Sequence, residues 1–197
     1  MSQRPALGCL FEVVETLVLT VVIFLGIQTF VAQPYKVQQE SMETTLLPDQ
    51  YVLVDKLSPR WAAYGYGDIV VFDPPESWSA GSGVPFIKRI IGLPGETVRI
   101  GDDGIMYVNG QALDETGYTY RDDAGDNEPT TIQTDQAEWT LAPDEVFVMG
   151  DHREASADSR SFGPVKLDHI IGRAFLRYWP AATVGVLSRP TYQSPQE

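Results

Sequence analysis

Three short segments carry side chains that can do chemistry together: Glu40-Ser41-Met42, Ile87-Lys88-Arg89, and the run from Gly150 to Gly163 that holds Asp151, Arg153, Ser156, Asp158, Ser159 and Arg160. A serine hydroxyl is a weak nucleophile until a neighbouring base takes its proton. Lys88 sits among Phe86, Ile87, Ile90 and Ile91. Burial in such a setting disfavours the ammonium and lowers a lysine pKa. A lysine tuned down to about 7–8 accepts a proton at neutral pH. Each segment also has a plainer account. Ser41 fits a turn, Lys88 fits an edge strand or a snorkelling position, and the third run fits a polar loop held by an Asp–Arg pair.

Composition removes several other chemistries. Fourteen Lys and Arg stand against 27 Asp and Glu, a formal charge of −13, so nucleic acid is not an expected partner. The single cysteine, Cys9, cannot form an internal disulfide, and the two histidines, His152 and His169, have no zinc-like spacing with it. No metal or organic cofactor is expected. The segment Gln111–Trp139 is rich in Asp and Glu with Arg121 as its basic residue. It lacks the spacing of a calcium loop and reads as a solvated acidic lobe.

The elements that must position these residues fall into two parts. Thr16–Tyr35 contains no ionisable group except the Tyr35 phenol, and its 20 residues match a hydrocarbon core of about 30 Å. A cleaved leader would need a small residue where Phe30 stands in Phe30-Val31-Ala32. A retained transmembrane helix is therefore expected, after a short N-terminal segment of residues 1–15. Beyond Lys36, short β-rich runs alternate with Gly, Pro and Asp turns. Gln50–Leu57, Asp68–Phe72, Pro85–Ile91, Glu96–Ile100, Ile105–Val108, Glu145–Met149 and Ile170–Tyr178 read as strands, with a hairpin turn at Asn109-Gly110. The expected fold is mainly β: an antiparallel β-rich core over 36–100 and 143–188, an inserted lobe over 101–142, and a tail over 189–197. Trp61, Tyr64, Tyr66 and Trp78 suit either the membrane interface or the core.

The ordered motifs Ser41-Met42-Glu43-Thr44-Thr45-Leu46, Gly67-Asp68-Ile69-Val70-Val71-Phe72, Lys88 through Glu96, and Gly150 through Gly163 resemble those of the bacterial type I signal peptidases, the Ser–Lys peptidase family S26. The resemblance runs from the anchor to about Tyr178. It implies a membrane-bound serine endopeptidase that removes signal peptides from exported preproteins after small-x-small sites. On that resemblance Ser41 is the nucleophile and Lys88 the general base. Ser156 matches a serine that hydrogen-bonds the lysine, and Asp158 and Arg160 match a structural charged pair. The Ser41 N–H and Gln39 are the oxyanion donors to consider. By their offsets, Val37, Met42, Leu46, Phe86 and Ile87 match substrate-pocket positions, with a place in the core as the plainer account. The implied partners are secreted preproteins, membrane lipid and the protein-export machinery. The implied location is the plasma membrane, with the N-terminus cytoplasmic and the catalytic domain outside. The chain departs from the family pattern at Gln39, Glu40, Thr44 and His152. Glu40 sets a carboxylate beside the nucleophile, where it would raise the lysine pKa. These departures motivate the alternative of a silent or specialised paralogue that binds preproteins or partners.

Overall fold

In the computed structural model, residues 4–78, 83–122 and 124–190 are described; most of the expected tail lies outside them. The chain opens with helix α1 (Arg4–Phe30). Its segment Gly8–Phe30 is long and apolar enough to cross a membrane, and none of it is buried within the protein. The helix begins earlier and ends sooner than the apolar stretch Thr16–Tyr35. Pro34 explains the early end, because proline lacks an N–H and pushes the residue before it toward extended backbone. The chain passes directly into strand β1 (Ala32–Lys36).

Eleven further strands follow: β2 (Tyr51–Asp55), β3 (Ile69–Phe72), β4 (Phe86–Gly92), β5 (Thr97–Ile100), β6 (Met106–Val108), β7 (Gln111–Ala112), β8 (Glu138–Thr140), β9 (Glu145–Met149), β10 (Val165–Lys166), β11 (Ile170–Trp179) and β12 (Gly185–Val186). A single helical turn, α2 (Ser159–Phe162), lies between β9 and β10. The larger sheet has the order β1-β2-β11-β3-β4-β9-β10, with β12 on β11; the smaller has the order β7-β6-β5-β8. The pairings within both are antiparallel. Each strand expected from the sequence forms. The Asn109-Gly110 turn has positive φ at both residues, 50° and 80°, the backbone a two-residue hairpin needs. It joins β6 to β7 in register Val108↔Gln111.

The lobe is less separate than its composition implies. The smaller sheet starts at Thr97 and shares one core with the larger: Val98, Ile100, Met106 and Trp139 pack with Ile91, Phe147 and Met149. Burying a side chain such as Phe147 contributes about 2–3 kcal/mol. The lobe is therefore held by the sheet beneath it. Its acidity is also not all solvated, since Glu115 pairs with buried Arg153 at 2.6 Å.

Candidate active site

Ser41 and Lys88 are 47 residues apart in sequence and meet in space: Lys88 Nζ donates to Ser41 Oγ at 2.6 Å. Ser41 lies in a tight turn, Glu40–Met42, whose end is closed by the Glu43 N–H donating to the Glu40 carbonyl. Lys88 is in β4, in register with Val70 of β3. On the other side of β4, pairing with β9 begins only at Arg89↔Met149. At Lys88 that neighbour has already given way to Gly150, and the gap is where the site assembles. A Cβ on Gly150 would lie 2.4 Å from the Ser41 carbonyl oxygen and 2.3 Å from Ser156 Oγ. Only glycine lets these two segments close on the strand end.

Both members of the pair are buried, Ser41 at 3% and Lys88 at 2% exposure. Burial lowers the Lys88 pKa to about 8, against the opposing pull of Asp158 and Asp151, and Arg160 adds to the lowering. A fraction of this lysine is therefore neutral near pH 7. In that form the amine can accept a proton from Ser41 across the same short distance.

The loop after β9 supports the pair through buried charge. Asp158 caps α2 and accepts from Arg160 Nε at 2.9 Å, from Arg160 Nη2 at 2.9 Å, from Ser156 Oγ at 2.6 Å and from the Gly150 N–H at 3.1 Å. Burial alone would raise the Asp158 pKa; the Arg160 bonds and charge, with Ser156 and Gly150, outweigh it and hold the carboxyl below its ordinary range. The Ser156 hydroxyl is thus directed to Asp158 Oδ2, and its link to Lys88 runs through the Asp158 charge. Arg89, next to Lys88, is gripped by Asp151 at 2.8 and 2.6 Å and by the Gly67 carbonyl at 2.9 Å. Its guanidinium lies 4.3 Å from the centre of the Tyr118 ring. In the sequence alone, Asp151 and Arg89 have no role separate from the segments that hold them. Their adjacency to Lys88 and Gly150 was the available signal.

A cleft of about 270 Å³ opens beside the pair. Pro34–Gln39 line one wall, Val84–Ile87 the other, with Val52 and Val71 between. Three of the five expected pocket residues, Val37, Phe86 and Ile87, line it, as does Gln39. Met42 and Leu46 do not. Both are fully buried in the core with Val52, Val54 and Val71. An offset from the nucleophile does not say which way a side chain points, and in this turn Met42 points inward. Trp78 is also core, packed edge-on against Phe72 and Phe86, whereas Trp61 is 77% exposed. Glu40 is exposed, and the charges acting on Lys88 are Asp158, Asp151 and Arg160. Water therefore screens Glu40.

Among the described residues, no cluster of His, Cys, Asp and Glu is arranged to hold a metal ion. A family profile described as signal peptidase, peptidase S26, matches residues 10–179. A probable signal peptidase I-2 of Synechocystis sp. is 37% identical over 95% of this chain and 81% of its own length. The signal peptidase I of Leptolyngbya laminosa is 38% identical over 96% of this chain and 89% of its own. That of Mycobacterium tuberculosis is 32% identical over 94% and 78%. With the four ordered motifs folded into one site and the profile spanning nearly the whole chain, the protein belongs to the signal peptidase family, peptidase S26.

Proposed function

We propose that this chain is a membrane-bound serine endopeptidase that removes signal peptides from exported preproteins, with Ser41 and Lys88 as a catalytic pair. The observation that carries the reading is the 2.6 Å contact between two buried side chains, next to a cleft lined by the chain on either side of them, Pro34–Gln39 and Val84–Ile87. Neutral Lys88 takes the hydroxyl proton as Ser41 Oγ attacks the scissile carbonyl. The resulting ammonium returns that proton to the leaving amine. Lys88 then activates a water that hydrolyses the acyl-enzyme. The Ser41 N–H is the first candidate donor to the developing oxyanion, with the Gln39 side chain as second.

The cleft favours an extended substrate. Among the described residues, β1 pairs only with β2 in the sheet, and β4 residues Phe86–Lys88 pair only with β3. Their free edges line the two walls of the cleft, so a peptide strand can hydrogen-bond between them. The limited volume between Val37, Phe86 and Ile87 suits small side chains before the scissile bond, as in Ala-x-Ala. Helix α1 is the anchor, with the N-terminus cytoplasmic and the β domain outside. The Lys56 N–H donates to the Val31 carbonyl at the helix end, and exposed Trp61 follows that segment, placed to sit in the lipid interface. Contact with the export machinery belongs to the same reading, since substrates arrive from it.

Purified in detergent, the protein is expected to cut a preprotein after its Ala-x-Ala site, as read by mass spectrometry of the products, and Ser41→Ala is expected to stop it. Persistent cutting by Ser41→Ala would remove the mechanism. The pH dependence supplies a sharper check. The reactive form is neutral Lys88, so kcat/KM rises with pH and its midpoint falls near the lysine pKa of about 8. Glu40→Gly is expected to leave both the midpoint and the maximal rate within about 2-fold of wild type, because exposed charges are screened. A midpoint moved down by that substitution would show that Glu40 does restrain the lysine.

A further inference from the structure

His152 lies where three segments meet. Its main-chain N–H donates to the Ser41 carbonyl at 3.2 Å, on the peptide unit that follows the nucleophile. Its ring lies flat against Tyr120, with centroids 4.0 Å apart and planes 11° from parallel. Nδ1 is 3.5 Å from Glu43 Oε2, a close approach without a hydrogen bond, and Nε2 is 3.3 Å from Glu128 Oε1. The His152 side chain is 15% exposed, that of Glu43 22% and that of Glu128 9%. Glu43 belongs to the nucleophile turn; Tyr120 and Glu128 belong to the acidic lobe.

The lobe side of this junction is itself fixed. The Tyr120 N–H donates to the Asp151 carbonyl at 2.9 Å and the Glu128 N–H to the Tyr120 carbonyl at 3.0 Å. Glu128 Oε2 accepts from the Glu154 N–H at 3.3 Å. On the other side, the nucleophile turn is short and mostly bounded by extended backbone. Across the gap, Thr44 Oγ1 donates to the Tyr118 carbonyl at 3.4 Å, and Thr45 Oγ1 donates to Asp151 Oδ2 and accepts from Arg89 Nη2 at 3.0 Å. The Tyr120 stack and the approach of Glu43 and Glu128 to the His152 ring add to these ties on the lobe side.

We propose that His152 is a positioning residue for the reaction: it clamps the Ser41–Glu43 turn to the acidic lobe and so holds Ser41 Oγ at attack distance from the scissile carbonyl. Its ring does not line the substrate cleft, and it acts through Ser41. The proposal rests on the peptidase reading above for its kinetic consequence, and on the geometry alone for its structural one. It also gives the lobe a function, since Glu128 and Tyr120 are the fixed side of the clamp.

The test compares wild type with His152→Ala, His152→Gln and Glu128→Gln in detergent, by cleavage kinetics on an Ala-x-Ala preprotein and by amide hydrogen exchange over residues 40–46. His152→Ala is expected to lower kcat about 10-fold with KM unchanged, since small misplacements of a nucleophile cost rate rather than binding, and to speed exchange in 40–46. His152→Gln keeps a planar donor group and is expected to recover most of both. Glu128→Gln, distant in sequence from the nucleophile, is expected to move both in the same direction by less. Wild-type kcat in His152→Ala, or a change confined to KM or to melting temperature, overturns the proposal. If wild type itself does not cleave, the peptidase reading fails, and the exchange arm alone decides the clamp: unchanged exchange over 40–46 overturns it.

Discussion

Lys88→Met is expected to cut the rate of cleavage by about 10⁴-fold or more and, in the same molecule, to raise stability at pH 7. The activity loss follows from removal of the proposed base, which leaves only binding and oxyanion donors to act. The gain in stability follows from burial. Lys88 is 2% exposed, and its pKa falls from 10.5 to about 8. Below pH 8 the lysine is protonated in both the folded and the unfolded chain, so the folded state carries the full penalty of a buried ammonium, about 3 kcal/mol. Between pH 8 and 10.5 the folded lysine has released its proton while the unfolded one still holds it. The unfolded chain then binds more protons, and wild-type stability rises with pH.

Methionine matches the lysine stem in shape and has no charge to bury. It also deprives Ser41 Oγ of its partner, which costs about 1–2 kcal/mol. The net gain is about 1–2 kcal/mol, or about 3–6 °C in Tm for a domain of this size. Thermal unfolding followed by circular dichroism gives the comparison. The gap between variant and wild type should shrink as pH rises from 8 toward 10.5. A variant less stable than wild type at pH 7, or a gap that widens with pH, would show that Lys88 is not held at a cost.

Much of this site is legible in one dimension because its chemistry depends on residue type. Lys88 stands out through the apolar residues on both sides of it, and the same neighbours make the strand that buries it. Ser41 is less legible, since a serine in a turn is ordinary until its partner is found. What the chain does not display is direction. Met42 and Leu46 match pocket positions by offset, yet both face the core; Val37, Phe86 and Ile87 face the cleft. Trp78 and Trp61 have similar loop settings in sequence, and only packing against Phe72, Phe86 and Phe162 separates the buried one from the exposed one. Strand β1 is hidden for another reason. Its residues up to Tyr35 continue the uncharged stretch that the helix begins, and only pairing with β2 and the proline at 34 end the helix. Short strands such as β7, β10 and β12 have almost no pattern of their own and exist because a longer neighbour offers free backbone groups. The acidic lobe shows the limit of charge counting. Glu115 looks like one solvated acid among several, yet it neutralises an arginine that is 1% exposed.

Asp158→Asn is expected to destabilise the protein by about 3–5 kcal/mol, because it keeps the shape of the side chain and removes its charge beside a buried guanidinium. Arg160 is 1% exposed and Asp158 is fully buried. The asparagine oxygen can accept from one of the two Arg160 nitrogens. Its NH₂ group then faces the other nitrogen, the Ser156 hydroxyl or the Gly150 N–H, all of which are donors to the carboxylate in the native protein. Urea unfolding in detergent measures the loss, and a value under about 1 kcal/mol would show that the pair is not needed to hold the loop. The same substitution carries a kinetic signature that instability alone does not. The Asp158 charge raises the Lys88 pKa, and Arg160 lowers it. Removing the first and keeping the second favours the neutral amine. The midpoint of the pH–rate profile should therefore move below its wild-type position in whatever fraction remains folded, while the maximal rate falls because Gly150 and Ser156 lose their shared acceptor. A midpoint that moves upward would mean that Asp158 acts on Lys88 through something other than its charge.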